Sequence, residues 1–266
     1  MKRRRNYLPL WALLVAALVA IACVSAFGPV RIGGYEMKDS GLARALIIGQ
    51  QTGPELVTAG NDTLAQATVA AAPAPAPVDT AAKTILFIGD SMLDGLYPRL
   101  AAYASHNGHT LYAVIWYSST SEKWGASGRL KSYINRLSPD YIFICLGANE
   151  LFVKNIADKR DAYVKTIIDE AGDIPYLWIG PPNWKPDTGI NDLIAANAAP
   201  GTFFLSDGMS FERGKDGAHP TRTSAAQWMD SVVRWMPAHH PHPIRLDVPD
   251  ASSGRARRVF VHQPNE

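Results

Sequence analysis

Cysteine is nearly absent. The 266 residues hold two, Cys23 in an apolar stretch at the start and Cys145 in a run that reads as a core strand. They have no plausible way to pair, which excludes a disulfide framework, and Cys145 reads as a small hydrophobe. An excess of one charge is absent too. Against 24 Asp and Glu stand 26 Lys and Arg, a formal net charge of +2. The basic residues form no aromatic-laced stripe, so nothing marks a nucleic-acid partner. Side-chain groups at metal-ligand spacing are missing as well. His239, His240 and His242 lie close together without a carboxylate or cysteine at ligand spacing, so they read as part of a polar tail and no metal is expected.

Long hydrophobic runs are scarce, and one stands out: Tyr7 to Phe27, interrupted by Pro9 and Ser25. It follows Lys2-Arg3-Arg4-Arg5, the layout of an export signal. Its length also suits a membrane span, which needs roughly 20 residues. Basic residues ahead of the run, and few just after it, direct the remainder out of the cytoplasm. Residues 1–28 are therefore expected to be a signal anchor or a signal peptide. Cleavage would use Ala20-Ile21-Ala22 or Val24-Ser25-Ala26. Lipidation at Cys23 is a third outcome, with Ala20 a poor match to the usual preceding leucine. The expected location is the periplasm, either tethered to the inner membrane through the N-terminal helix or released after cleavage.

Residues 29–82 read as a linker. Glycines punctuate its first part, and Ala70 to Pro77 is an Ala/Pro stretch that stays extended and semi-rigid. From Lys83 to Met236 strand and helix patterns alternate. Strands are expected at Thr84–Ile88, Leu111–Trp116, Tyr141–Leu146, Tyr176–Ile179 and Thr202–Leu205. They are short continuous apolar runs, as in a parallel sheet covered on both faces. Helices are expected at Leu93–Asn107, Gly128–Leu137, Asp158–Ala171, Thr188–Ala198 and Thr221–Met236. The alternation predicts one α/β domain over residues 83–236 with a five-stranded parallel sheet. Residues 237–266, polar and Pro-rich, read as a disordered tail.

In such sheets ligands sit at the carboxyl ends of the strands, and the polar residues there are candidates for chemistry. The first strand stops at Gly89-Asp90-Ser91, just before a helix. Ser91 has backbone N–H groups and a favourable helix dipole nearby, which suits a nucleophile. The same position suits Asp90 and Ser91 as plain helix caps. After the third strand comes Gly147-Ala148-Asn149-Glu150. Asn149 can turn a side-chain N–H toward a developing oxyanion, or can simply make a turn. Before the last helix comes Asp216-Gly217-Ala218-His219. Here the carboxylate can fix the imidazole tautomer and leave the other nitrogen to take a proton from a serine. The second strand runs into Tyr117-Ser118-Ser119-Thr120-Ser121-Glu122-Lys123-Trp124-Gly125, a loop of small polar residues whose backbone N–H groups can face the same site, or which is simply Ser-rich. Asn183-Trp184, after the fourth strand, offers an aromatic that can stack on a sugar or cover an acyl pocket. It can equally pack down onto the domain.

Gly89-Asp90-Ser91, Gly147-Ala148-Asn149 and Asp216-x-x-His219, in this order, resemble the SGNH (GDSL-type) hydrolase superfamily across residues 83–236. The resemblance implies a three-layer α/β/α sandwich, no cofactor, and a catalytic triad of Ser91, His219 and Asp216. It also implies an oxyanion hole made by the N–H of Ser91, the side chain of Asn149 and a donor from the second block. Two positions depart from the pattern. Glu150 stands where the family usually has Asp. The second-block donor, usually a glycine, falls by spacing near Ser121, with Gly125 a little further on. The implied activity is that of an exported serine esterase or acyltransferase. Its expected substrate is an acyl ester on a cell-envelope polysaccharide or an exopolysaccharide such as cellulose, beside synthesis or export machinery. A lipase or thioesterase on long acyl chains, and a non-catalytic glycan-binding accessory, are the alternatives.

Overall fold

The computed structural model describes residues 75–265 together with the strand residues 30–32 and 35–37. The chain divides into two units, Met1–Val69 and Ala70–Glu266. In the first unit β1 (Val30–Ile32) and β2 (Tyr35–Met37) pair antiparallel. The expected N-terminal span lies outside the described residues, as does most of the expected linker. Among the described residues no helix is long and apolar enough to cross a membrane.

The second unit is built around β3 (Thr84–Gly89), whose Ile85, Leu86, Phe87 and Ile88 are wholly buried. A strand with no exposed side chain must be covered on both faces, and β3 lies inside its sheet. The other strands are β4 (Thr110–Trp116), β5 (Tyr141–Cys145), β6 (Tyr176–Ile179), β7 (Phe203–Phe204) and β8 (Arg258–His262). Their order is β7-β6-β5-β3-β4-β8, and every pairing is parallel.

The helices are α1 (Leu93–His106), α2 (Ser121–Ser127), α3 (Arg129–Leu137), α4 (Ile156–Ala171), α5 (Ile190–Asn197) and α6 (Arg222–His239). Alternation along β3 divides the core in two. Ile85 and Phe87 pack with Leu96 and Leu100 of α1 and with Trp228 and Val232 of α6. Leu86 and Ile88 pack with Trp124, Leu130, Val164 and Ile190 of α2 to α5. The result is a three-layer α/β/α sandwich, and each of these side chains contributes about 1.5–3 kcal/mol by its burial.

The sheet has six strands rather than the expected five, because the C-terminal tail is ordered. β8 adds to the edge of β4 in the register Tyr112↔Arg258 to Trp116↔His262. His262 is held there by the Tyr133 hydroxyl and the Arg129 guanidinium, each at 2.8 Å. α6 also continues past Met236 and takes Pro237 into its last turn. The chain then turns on His240, which is buried: its Nε2–H donates to Tyr176 O at 2.9 Å and its Nδ1 accepts from His242 N–H at 2.9 Å. The histidine cluster therefore anchors a turn. Ser121 to Gly125, expected as part of a loop, belong to helix α2, capped by Thr120, whose hydroxyl accepts from Lys123 N–H at 3.2 Å.

Candidate active site

The end of β3 needs Gly89. A Cβ at that position would stand 2.4 Å from the carbonyl oxygen of Cys145 on β5. The close approach aligns the two strand ends and lets Asp90 N–H donate to Cys145 O at 3.1 Å. The Asp90 side chain then folds inward. Oδ1 accepts from Met92 N–H at 2.9 Å, and Oδ2 is buried without a hydrogen-bond partner. Burial, aided by the charge of Glu150, pushes the Asp90 carboxyl up to about 7, although the Met92 N–H favours its charged form.

Ser91 follows, half-buried, and its hydroxyl does not cap α1. The cap position is Met92, with no side-chain hydrogen bond. Ser91 Oγ instead lies 2.8 Å from His219 Nε2. His219 Nδ1 lies 2.8 Å from Asp216 Oδ2, and Asp216 Oδ1 accepts from Ala218 N–H at 2.9 Å and His219 N–H at 3.0 Å. These bonds hold the Asp216 carboxyl down at about 2. An ionised carboxylate can only accept, so the network puts the proton of a neutral imidazole on Nδ1. Nε2 is then free to accept from the serine. The pair is open to solvent, with the His219 side chain 42% and the Asp216 side chain 54% exposed.

The turn that carries Asp216 and His219 is fixed from both sides. Gly214 N–H donates to His219 O at 2.8 Å. The Arg213 guanidinium donates to Ala218 O within the turn, and to Pro182 O at 3.1 Å and Asn183 O at 2.9 Å in the loop after β6. No local sequence signal marks Arg213 for this role, because those loop partners are backbone carbonyls 31 and 30 residues away.

Asn149 sits at the end of β5, half-buried, and donates one amide N–H to Ser119 O at 2.9 Å. Ser121 does not occupy the donor position expected of it. It is buried, with its N–H committed to Glu150 Oε2 at 2.9 Å and its hydroxyl to Glu150 Oε1 at 2.8 Å. Glu150 Oε1 also accepts from Arg160 Nε at 2.7 Å. Burial raises the Glu150 carboxyl against the pull of these donors. The loop residue joined to Asn149 is thus Ser119, next to Ser118, whose φ of 55° lies in the left-handed region. Gly125 serves packing, since a Cβ there would come within 2.8–2.9 Å of the Tyr163 backbone on α4.

Trp184 packs down, half-buried. Its indole N–H donates to Ala148 O at 2.9 Å and its ring meets Phe152 edge-on, so it braces the Gly147–Asn149 turn. Asn183 links loops, donating to Asp207 at 3.3 Å and accepting from Asn191 at 3.2 Å. Among the described residues no group of three or more His, Cys, Asp or Glu is placed to hold a metal ion.

No family model matches the sequence, and no curated protein does. Solved structures to which the chain is similar include TesA, at 19% identity and a TM-score of 0.46 over 57% of this chain and 97% of that one. Another is the psychrotrophic esterase EstA from Pseudoalteromonas sp., at 17% identity and a TM-score of 0.42, over 57% of this chain and 96% of that one. A third is the salicylyl-acyltransferase SsfX3 from a tetracycline biosynthetic pathway, at 15% identity and a TM-score of 0.42, over 59% of this chain and 55% of that one.

Proposed function

We propose that this chain is a serine esterase or acyltransferase of SGNH type that works through an acyl-Ser91 intermediate. The observation that carries the reading is the line of contacts from Ser91 Oγ to His219 Nε2 and from His219 Nδ1 to Asp216, each 2.8 Å. In the first step Ser91 Oγ attacks an ester carbonyl while its proton passes to Nε2. Asp216 stabilises the imidazolium, and its low pKa keeps it charged throughout. The oxyanion takes hydrogen bonds from Ser91 N–H and from the second amide N–H of Asn149. The tetrahedral intermediate collapses, the bond to the leaving oxygen breaks, and His219 returns the proton to that oxygen as the alcohol departs. Water, or a sugar hydroxyl, then repeats the sequence on the acyl-enzyme and restores Ser91. Which acceptor succeeds depends on how well water is kept out of the second step.

For the substrate we propose an acetyl or other acyl ester of a cell-envelope polysaccharide or exopolysaccharide such as cellulose. The export-type N-terminus and the Ala/Pro spacer support this, since they would hold the domain among such polymers at the periplasmic face of the inner membrane. Partners in polysaccharide synthesis or export belong to the same proposal. Trp184 and Asn183 are proposed to serve substrate binding indirectly, by holding the Gly147–Asn149 turn and the loop after β6 in place. The test is turnover of 4-nitrophenyl acetate by the full chain against Ser91→Ala. Equal background rates in the two would end the esterase reading. Transfer is tested by adding a glycan acceptor and looking for an acylated product by mass. Hydrolysis alone would limit the enzyme to esterase action.

A further inference from the structure

A groove of about 840 Å³ opens beside Ser91 and His219, between α1, α6 and the segment 249–254. The volume falls in the ~300–1,000 Å³ range of small-molecule sites. Asp94 and Tyr97 come from α1, Arg222 and Gln227 from α6, and Asp250 from the C-terminal segment. That segment is fastened in place. Gly254 N–H donates to Pro98 O at 2.7 Å, and the Arg99 guanidinium donates to Ala251 O at 2.7 Å and to Asp230 on α6 at 2.6 Å. The tail is therefore a wall of the cavity that contains the nucleophile.

The lining identifies what the groove suits. Its apolar surface comes from Tyr97, Pro98, Pro220, Ala226 and Pro249, interspersed with polar groups, and among the described residues no Leu, Ile, Val, Met or Phe lines it, so it lacks the continuous aliphatic wall that a fatty acyl chain would bury against. Asp94, Arg222, Gln227 and Asp250 are exposed along its walls, and Tyr97 is half-buried. Carboxylates accept from hydroxyls, Arg222 and Gln227 donate to them, and Tyr97 adds a ring on which a sugar can stack. Charges of both signs among them favour a neutral ligand over a polyanion. The side of the ester follows from the chemistry. His219 must hand its proton to the departing oxygen, so the alcohol portion lies on the His219 side, where the groove begins.

We propose that this groove binds the alcohol portion of the ester, a short stretch of a neutral polyhydroxylated chain, with the 249–254 segment as one wall. The assignment of the alcohol side rests on the esterase reading above. The test uses the full chain and has two arms. In the first, binding of cellotetraose to Ser91→Ala is measured by calorimetry, which needs no turnover. Gln227→Ala and Asp250→Ala are each expected to weaken it about fivefold, as for loss of one good hydrogen bond. In the second, kcat/KM for O-acetylated cellotetraose is divided by kcat/KM for 4-nitrophenyl acetate, and the double variant Gln227→Ala/Asp250→Ala lowers this ratio about 25-fold, the product of the two single losses. An unchanged ratio with unweakened or undetectable oligosaccharide binding overturns the proposal. So does a loss confined to 4-nitrophenyl octanoate, which would give the groove to the acyl chain. Weakened binding in the first arm, with no Ser91-dependent turnover of any ester, would uphold the glycan site and remove the esterase reading instead.

Discussion

Replacing Asp90 by asparagine should make the fold more stable at neutral pH and flatten its dependence on pH. The Asp90 carboxyl is wholly buried, has an orphaned Oδ2, and is raised from 3.8 to about 7. Between those values the native state holds a proton that the unfolded chain has released. Stability therefore falls as pH rises from about 4 to about 7, and the full cost is present above that. A shift of roughly three units at about 1.4 kcal/mol each gives a penalty on the order of 4 kcal/mol. The asparagine side chain keeps the acceptor for Met92 N–H and puts a donor where a protonated carboxyl would, so below about pH 4 variant and parent should match closely. Urea unfolding from about pH 4 to well above neutrality is the measurement. The gap in favour of Asp90→Asn should open with pH and level off above about 7. Curves that stay parallel across the range would refute the assignment of a buried proton to Asp90.

Glu150→Ala leaves the Arg160 guanidinium, the Ser121 N–H and the Ser121 hydroxyl without their shared acceptor, and should lower unfolding free energy by about 3–5 kcal/mol, read by urea titration. Asp216→Asn should lower kcat by about 10⁴ across the neutral range. Steady-state turnover of 4-nitrophenyl acetate is the measurement, and because a carboxyl held at about 2 is ionised at every working pH, the parent profile should show no separate limb from Asp216 itself. Gly125→Ala forces a Cβ against the Tyr163 backbone and should cost about 1–3 kcal/mol with little change in esterase kcat, measured by thermal unfolding and turnover together. Deleting residues 258–266 strips β8 from β4 and bares the apolar edge of β4, so the shortened chain should self-associate more than the full chain when the two are compared on size exclusion.

The central strands could be read because their information is local. Ile85 to Ile88, Ile142 to Ile144 and Leu177 to Ile179 are continuous apolar runs, and only a sheet covered on both faces buries every residue of such a run. Gly89-Asp90-Ser91, Asn149 and Asp216-x-x-His219 could be read together because the parallel order puts those strand ends on one edge. β8 could not be read this way. Arg-Val-Phe-Val-His is an edge strand with two residues exposed and three half-exposed. Its order comes from β4 and from His262 meeting Arg129 and Tyr133, which lie 133 and 129 residues away. Helix α2 was hidden by composition, since Ser118 to Ser121 favour turns, and it forms because Thr120 caps it and Trp124 is buried beneath it.

Ser121 and Glu150, the two positions that depart from the SGNH pattern the sequence resembles, look independent in the sequence, yet in the fold they are one unit. The extra methylene of Glu over Asp lets a carboxylate at the end of β5 reach the first residue of α2. There it accepts both the N–H and the hydroxyl of Ser121, with Arg160 balancing its charge. A glycine in place of Ser121 would keep one of those bonds and lose the other. An aspartate in place of Glu150 would be too short to hold both and still meet Arg160. Each residue thus makes sense only in the presence of the other, and their joint effect is to take Ser121 N–H away from any oxyanion. In the proposed mechanism the oxyanion donors are then Ser91 N–H and the Asn149 amide, whose other N–H is held by Ser119 O. A double-mutant cycle across Ser121→Ala and Glu150→Gln should therefore show coupling of about 1–3 kcal/mol in stability. Additive effects would refute the claim that the two side chains act as one unit.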